Sequence, residues 1–287
     1  MIRELLDMGF ETVELSHGLP LSLLPGIQQA CREGIVRVSG VHNFCPSPIE
    51  VQVDAPDCYE FSSKRSSDRE RAMRLTRQSL QTASELGGSY LVLHMGSVAM
   101  KMFTPRLEAF MEQGRIYSRD FVKCKLEAVT ARQKAAAVAY RRAVETLEEL
   151  VGDAEKYGVC LAVESRSHYE QVPSEREMRS LQEHFGDNPW VGYWHDFGHV
   201  QRQANIGFCD HFQWLESMRS YLVGCHIHDV EWPSRDHVIP LDTNGVDFSG
   251  LMPLVERELP LVWELSRRCR KKAVIEGLAR WKQRFGG

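Results

Sequence analysis

Short apolar runs recur along the chain, and each is followed by a stretch in which apolar residues return every three or four positions. The runs predict strands buried on both faces, and the intervening stretches predict the helices that cover them. Seven strands are expected, ending near residues 15, 42, 94, 164, 196, 228 and 265. Ile2, Leu5 and Leu6 share a helical face over residues 1–8 before Gly9, and a second helix over 21–32 closes at Gly34. Ala72, Leu75, Ser79, Ala83 and Leu86 keep helical spacing up to Gly87-Gly88, and Val144, Leu147, Val151 and Ala154 mark the buried face of a long helix that Gly158 ends. Ser174 with Glu177 three residues later is a capping-box signature opening a helix toward Phe185, and further helices are expected over 212–218, 248–258 and 271–284.

Two stretches break the pattern. Residues 43–65 are rich in Pro, Ser and Asp without sustained periodicity, which predicts a loop over one end of the fold. Residues 95–125 carry Phe103, Phe110, Tyr117 and Phe121 among many charges, and are expected to form short helices acting as a lid. No linker, short repeat or low-complexity segment divides the chain, so residues 1–287 read as one α/β domain. Strand–helix alternation fits an open doubly wound sheet or a closed barrel. The barrel is favoured because nearly every predicted strand ends in an ionisable residue, and strand tips converge only when the sheet closes.

In chain order those tips are His42, His94, Glu164, Asp196 with His199, His226 with His228, Asp236-His237, and Glu264. Residues two apart in a strand share a face, so His226 and His228 point the same way. Carboxylates and imidazoles converging from several strands make a mixed N/O donor set of the kind Zn²⁺, Mn²⁺, Co²⁺ or Mg²⁺ accepts. Three carboxylates buried together without a cation repel one another, and a divalent ion reverses the sign of that interaction. Composition narrows the picture further. A formal net charge of −4 provides no global basic field for nucleic acid or an anionic membrane, and no apolar run is long enough to span a bilayer. Eight cysteines without CxxC spacing, in a chain too long to need staples, read as reduced thiols of a cytoplasmic protein.

Four segments carry a resemblance: Ala162-Val163-Glu164-Ser165, His195-Asp196-Phe197-Gly198-His199, Cys225-His226-Ile227-His228-Asp229 and Val262-Trp263-Glu264-Leu265. Together they resemble the xylose isomerase-like TIM-barrel superfamily, which includes sugar and sugar-phosphate isomerases and epimerases, inosose dehydratases and endonuclease IV. The resemblance implies a (β/α)8 barrel in which Glu164, Asp196, His226 and Glu264 hold one divalent metal. It implies a metal-dependent isomerase or epimerase in which Glu164 and Glu264 exchange a proton through an enediolate. His199 and His237 are then expected on substrate hydroxyls, Arg166 on an anionic group, His228 as a supporting or substrate contact, and Trp194, Trp263 and Phe44 as an apolar wall against a sugar or polyol. A homo-oligomer is compatible with this reading.

The alternative within the superfamily is a multinuclear zinc phosphodiesterase of the endonuclease IV type, with up to three ions and with His42, His94, His199 and His237 as extra ligands. Against it, Asp236 and His237 are adjacent, which in extended chain sends them to opposite sides. A non-catalytic sugar-binding barrel is the third reading. The chain departs from the superfamily in starting at the first helix, so the barrel is expected to lack its first strand. That leaves unpaired edges on the strand at 12–15 and on the last strand. The natural chain is accordingly expected to start upstream of Met1, unless another segment or a partner chain fills the gap.

Overall fold

A computed structural model describes residues 2–51 and 56–286. The strands are β1 (Thr12–Leu15), β2 (Arg37–His42), β3 (Tyr90–Leu93), β4 (Cys160–Glu164), β5 (Val191–Asp196), β6 (Leu222–Ile227), β7 (Asp229–Glu231), β8 (Arg235–Val238) and β9 (Leu261–Trp263). Seven of them pair in parallel in the order β1-β2-β3-β4-β5-β6-β9, while β7 and β8 form a separate antiparallel hairpin. Among the described residues no ladder joins β9 to β1. The sheet is therefore a nearly closed barrel of seven strands with one gap, as the strand count in the sequence predicts.

Helices cover the outside: α1 (Ile2–Asp7), α2 (Leu24–Arg32), α3 (Ser66–Glu85), α4 (Thr104–Glu112), α5 (Arg119–Tyr157), α6 (Glu175–Phe185), α7 (Phe197–Asn205), α8 (His211–Met218), α9 (Phe248–Leu251) and α10 (Lys271–Phe285). The period-2 pleat sorts each strand's side chains between two cores. Leu91, Leu93, Leu161, Val163, Tyr193 and Ile227 face outward and pack beneath the helices. Tyr90, Val92, Ala162 and Trp194 face inward and fill the barrel, with Cys160 and Val262 against them. The Trp194 ring fits because β6 presents Gly224 there, where a Cβ would collide with the indole. Carrying the same inward phase to the strand ends brings His42, His94, Glu164, Asp196 and His226 to one mouth.

Four expectations change. The lid over 95–125 contains α4, but from Arg119 onward it belongs to α5, a 39-residue helix. Ser118 caps α5 by accepting the Phe121 N–H at 3.1 Å, and Gly158 ends it at φ 65°. No proline interrupts this span, so the helix runs on for about 58 Å at 1.5 Å per residue. Its first turns pack Phe121, Cys124 and Ala128 on Phe103, Leu107 and Phe110 in a satellite core. The helix expected over 248–258 stops after α9 and one 3-10 turn, Met252–Leu254, that contains Pro253. After β6 the chain forms the β7–β8 hairpin, two short strands beyond the seven that the apolar runs predict. The run ending at His199 leaves the sheet at Asp196, so His199 lies in the first turn of α7.

Candidate metal centre

Ligand atoms of Glu164, Asp196, His226 and Glu264 lie within 4.8 Å of one another at the barrel mouth. β4, β5 and β6 deliver the first three as inward residues, and Glu264 follows β9 directly. His226 Nδ1 is the focus: Glu164 Oε1 is 3.1 Å away, Glu264 Oε2 3.2 Å and Asp196 Oδ2 3.5 Å. Its Nε2 lies 3.1 Å from Glu14 Oε1, on β1. Nε2–H therefore donates to Glu14, and Nδ1 faces three carboxylates. No well-aligned hydrogen bond reaches the buried Glu264 Oε2 or Glu14 Oε2.

The electrostatics call for a cation at this point. Burial opposes charge on His226, but Glu264 and Glu14 outweigh it and hold the imidazole pKa well above its ordinary value. Burial would raise the pKa values of Glu164 and Asp196. His94 and Arg166 beside Glu164, and His199 and His228 beside Asp196, instead hold both carboxyls well below the usual range. Four carboxylates, Glu14, Glu164, Asp196 and Glu264, crowd His226, and among the described residues Arg166 pairs with only one of them, Glu164. A divalent ion among Glu164, Asp196, His226 and Glu264 balances that charge, and the oxygen-rich set with one imidazole suits a borderline or hard divalent metal.

Neighbouring groups hold these side chains in place. Asp196 Oδ1 accepts the His199 N–H at 2.7 Å, so the cap of α7 holds the carboxylate in place. His228 Nδ1 accepts the His237 N–H at 2.9 Å, leaving Nε2–H to donate to Asp196 at 3.0–3.1 Å. Both His228 nitrogens are thus engaged, and His228 orients Asp196. Gly198, in the first turn of α7, makes room for this ring, since a Cβ there would overlap the imidazole. His199 Nδ1 lies 3.2 Å from the Ser165 carbonyl. Asp236 and His237 do not diverge as the extended chain predicts. His237 adopts φ 55°, and Asp236 Oδ1 meets its Nδ1 at 3.0 Å while Arg202 holds Asp236 Oδ2 at 2.6 Å. The other nitrogen of His237 comes within 3.5 Å of Glu264.

On the opposite flank, His42 Nδ1 lies 3.0 Å from the Asn43 carbonyl and His94 Nδ1 2.8 Å from Asp57 Oδ1. Their Nε2 atoms stand 3.5 Å and 2.6 Å from Glu164 Oε2. Arg166 Nη1 donates to the same Oε2 at 2.9 Å and also touches His94 Nε2. Asp57 and Glu164 favour a charged His94 while burial and Arg166 oppose it. The carboxylates prevail, and the His94 imidazole pKa lies above its ordinary value.

The expected substrate groups fall elsewhere. Arg166 is buried and committed to Glu164, with Asp57 at 3.6 Å, so it does not wait for an anionic substrate. Trp194 is fully enclosed beneath His226, 5.1 Å between ring centroids, and Phe44 is buried against Tyr59. Trp263 stacks edge-on with Phe10 and Trp281. None of the three walls the mouth: Trp194 fills the barrel, Phe44 joins the outer core and Trp263 packs at the margin of that core. Glu14 and Asp57 are missed by the strand-tip pattern. Glu14 alternates with Val13 and Leu15, and a lone charge on the inward phase of an apolar strand is the signal that would have found it. Asp57 lies in an aperiodic loop and has no such signal.

A profile of the family described as "Xylose isomerase-like TIM barrel" matches residues 2–284. No curated protein matches the sequence. Solved structures share the fold. A D-tagatose 3-epimerase-like protein superposes with a TM-score of 0.70 at 14% identity, covering 98% of this chain and 90% of that one. The 3-keto-D-glucoside 4-epimerase YcjR from E. coli gives 0.68 at 16% identity, covering 98% and 92%. A D-psicose 3-epimerase gives 0.67 at 14% identity, covering 100% and 93%. Among the described residues no helix is long and apolar enough to cross a membrane.

Proposed function

The chain belongs to the xylose isomerase-like TIM-barrel family, and from that premise we propose that it is a divalent-metal-dependent isomerase or epimerase of a small sugar or sugar phosphate, working as one domain in the cytoplasm. The observation that carries the proposal is the convergence of Glu164, Asp196, His226 and Glu264 at the mouth, with the His226 ring turned by Glu14 so that Nδ1 faces the carboxylates. Epimerases acting on sugars among the structural neighbours support the substrate class. A metal bound by the four residues supplies Lewis-acid polarisation of a substrate oxygen. Glu164 and Glu264 take and return the proton next to the carbonyl. His199 and His237, beside the carboxylates, would bind substrate hydroxyls.

The test is solvent hydrogen exchange. The Mn²⁺-loaded protein, incubated with a panel of ketoses and ketose phosphates in D₂O, should introduce deuterium at a carbon next to the carbonyl, and Glu264→Gln should keep its fold while losing that exchange. No exchange across the panel would remove the isomerase reading.

A second reading, zinc-dependent phosphodiester cleavage, draws on two further histidine clusters, His42-His94-Glu164 and His199-His228-His237. It stands lower because both His228 nitrogens are already engaged and Arg166 occupies the first cluster.

A further inference from the structure

The two oxygens of Glu164 face different partners. Oε1 points into the four-ligand centre, 3.1 Å from His226 Nδ1. Oε2 points away from it, into a second pocket of donors formed by His42 and His94. Both histidines there are set up as metal ligands. Each holds its Nδ1 against an oxygen, the Asn43 carbonyl or the Asp57 carboxylate, and presents Nε2 toward Glu164. An outer oxygen on one ring nitrogen fixing the other as a ligand is the usual support of a metal-bound histidine. Two imidazoles and a carboxylate complete three-quarters of a tetrahedral zinc set.

What stands among them is the guanidinium of Arg166. Its Nη1 lies 2.9 Å from Glu164 Oε2 and contacts His94 Nε2, the two atoms that an ion would bind. His94 Nε2 and the carboxylate oxygen are 2.6 Å apart, and the Arg166 guanidinium touches both. Arg166 is enclosed, with its side chain 7% exposed, and Asp57 Oδ2 lies 3.6 Å from Nη2. A guanidinium is always charged and carries a fork of donors, so it neutralises this pocket permanently.

We propose that Arg166 is a built-in cation occupying a latent second metal site made by His42, His94 and Glu164, and that it restricts the centre to one ion. The inference rests on the four-ligand reading of the first site. Arg166 thereby decides metal number: with the arginine the protein holds one ion, and without it Glu164 bridges two.

The test is metal stoichiometry, independent of turnover. Wild type, Arg166→Met, Arg166→Lys and the double variant Arg166→Met/His42→Ala are dialysed against excess Zn²⁺, desalted and assayed for zinc per folded chain, with circular dichroism recording the fold. The expected counts are one, two, one and one: methionine removes the charge, lysine keeps it, and loss of His42 dismantles the second site. One ion in Arg166→Met, or two in wild type, overturns the proposal while leaving the first site intact. No ion in any of the four overturns the four-ligand reading and this one with it. Should Arg166→Met fail to fold, Arg166→Gln, which keeps hydrogen-bond donors without charge, replaces it with the same expected count.

Discussion

Replacing Glu14 with glutamine isolates what the edge strand β1 contributes to the candidate metal centre. Glu14 touches the site only through His226, whose Nε2–H it accepts at 3.1 Å, and its side chain is 7% exposed. Glutamine keeps the length and an acceptor oxygen and removes the charge. Hydrogen bonds to a charged partner contribute about 1.5–3 kcal/mol, roughly twice a neutral one. The difference is therefore about 1 kcal/mol, and loss of such a supporting carboxylate lowers metal affinity by about 10- to 100-fold. Glu14→Gln belongs at the lower end because the acceptor survives, while Glu14→Ala belongs near the upper end. The metal-free protein should respond in the opposite direction. Glu14 is one of four carboxylates crowded around His226, so the glutamine variant should unfold at the same temperature as wild type or higher without metal. Calorimetric titration with Mn²⁺, paired with thermal unfolding of the metal-free proteins, reads both effects. Affinity within about twofold of wild type, or a metal-free variant that melts several degrees lower, would refute the orienting role.

Further outcomes follow from the same contacts. Mn²⁺ at about 100 times its dissociation constant should stabilise the folded state by about 2.7 kcal/mol, a melting shift of roughly 5–10 °C, and Glu264→Gln should shrink that shift markedly. Ser174→Ala should lose about 1 kcal/mol because one cap bond goes. Glu177→Ala should lose about 3–5 kcal/mol, since Glu177 also pairs at 2.6 Å with the buried Arg132, which would keep the Gln171 carbonyl but lose its carboxylate partner; denaturant melts compare the two. His211 is pushed down to about 3 by burial, and it lies 3.0 Å from His195. Between pH 3 and 6.5 the unfolded state binds a proton that the folded state rejects, so stability falls as pH drops through that window and is fully present above about 6.5. At about 1.36 kcal/mol per unit, this histidine alone removes about 2.7 kcal/mol by pH 4.5, and His211→Gln should flatten the slope by that amount in urea melts.

The architecture was legible because parallel strands buried on both faces leave uninterrupted apolar runs, and glycines at positions such as 9, 34, 87 and 158 punctuate the helices between them. The strand tips were legible for the same reason, since an ionisable residue ending an apolar run stands out. Fine geometry was less accessible. His199 was read as leaving a strand, because nothing local reveals that Asp196 both ends β5 and caps α7. The divergence assigned to Asp236 and His237 assumed extended backbone, and a left-handed φ at His237 brings them together instead. Arg166 was read as a substrate contact from its nearness to Glu164 in sequence. Its commitment depends on His94 and Asp57, which lie 72 and 109 positions away in the chain and come together only through β3 and an aperiodic loop.

These placements make the two glutamates unequal, which bears on how a proton would move between them. Glu164 is enclosed on every side: Oε1 faces His226 and His199, and Oε2 accepts from Arg166. A carboxylate held by a permanent cation stays ionised, and binding a proton at Oε2 means displacing the Arg166 bond. Glu264 follows the three-residue strand at the open edge of the barrel, its side chain is 29% exposed, and its Oε2 lacks a well-aligned hydrogen bond. The cations nearest it are the imidazoles of His226 and His237, and the Nδ1 of His226 is an atom that the metal would claim. Under the proposed reaction Glu264 is therefore the group freer to take a proton from substrate. Glu164, pinned between the ion and Arg166, serves first as a ligand, and accepts or returns a proton only as far as the Arg166 contact lets go.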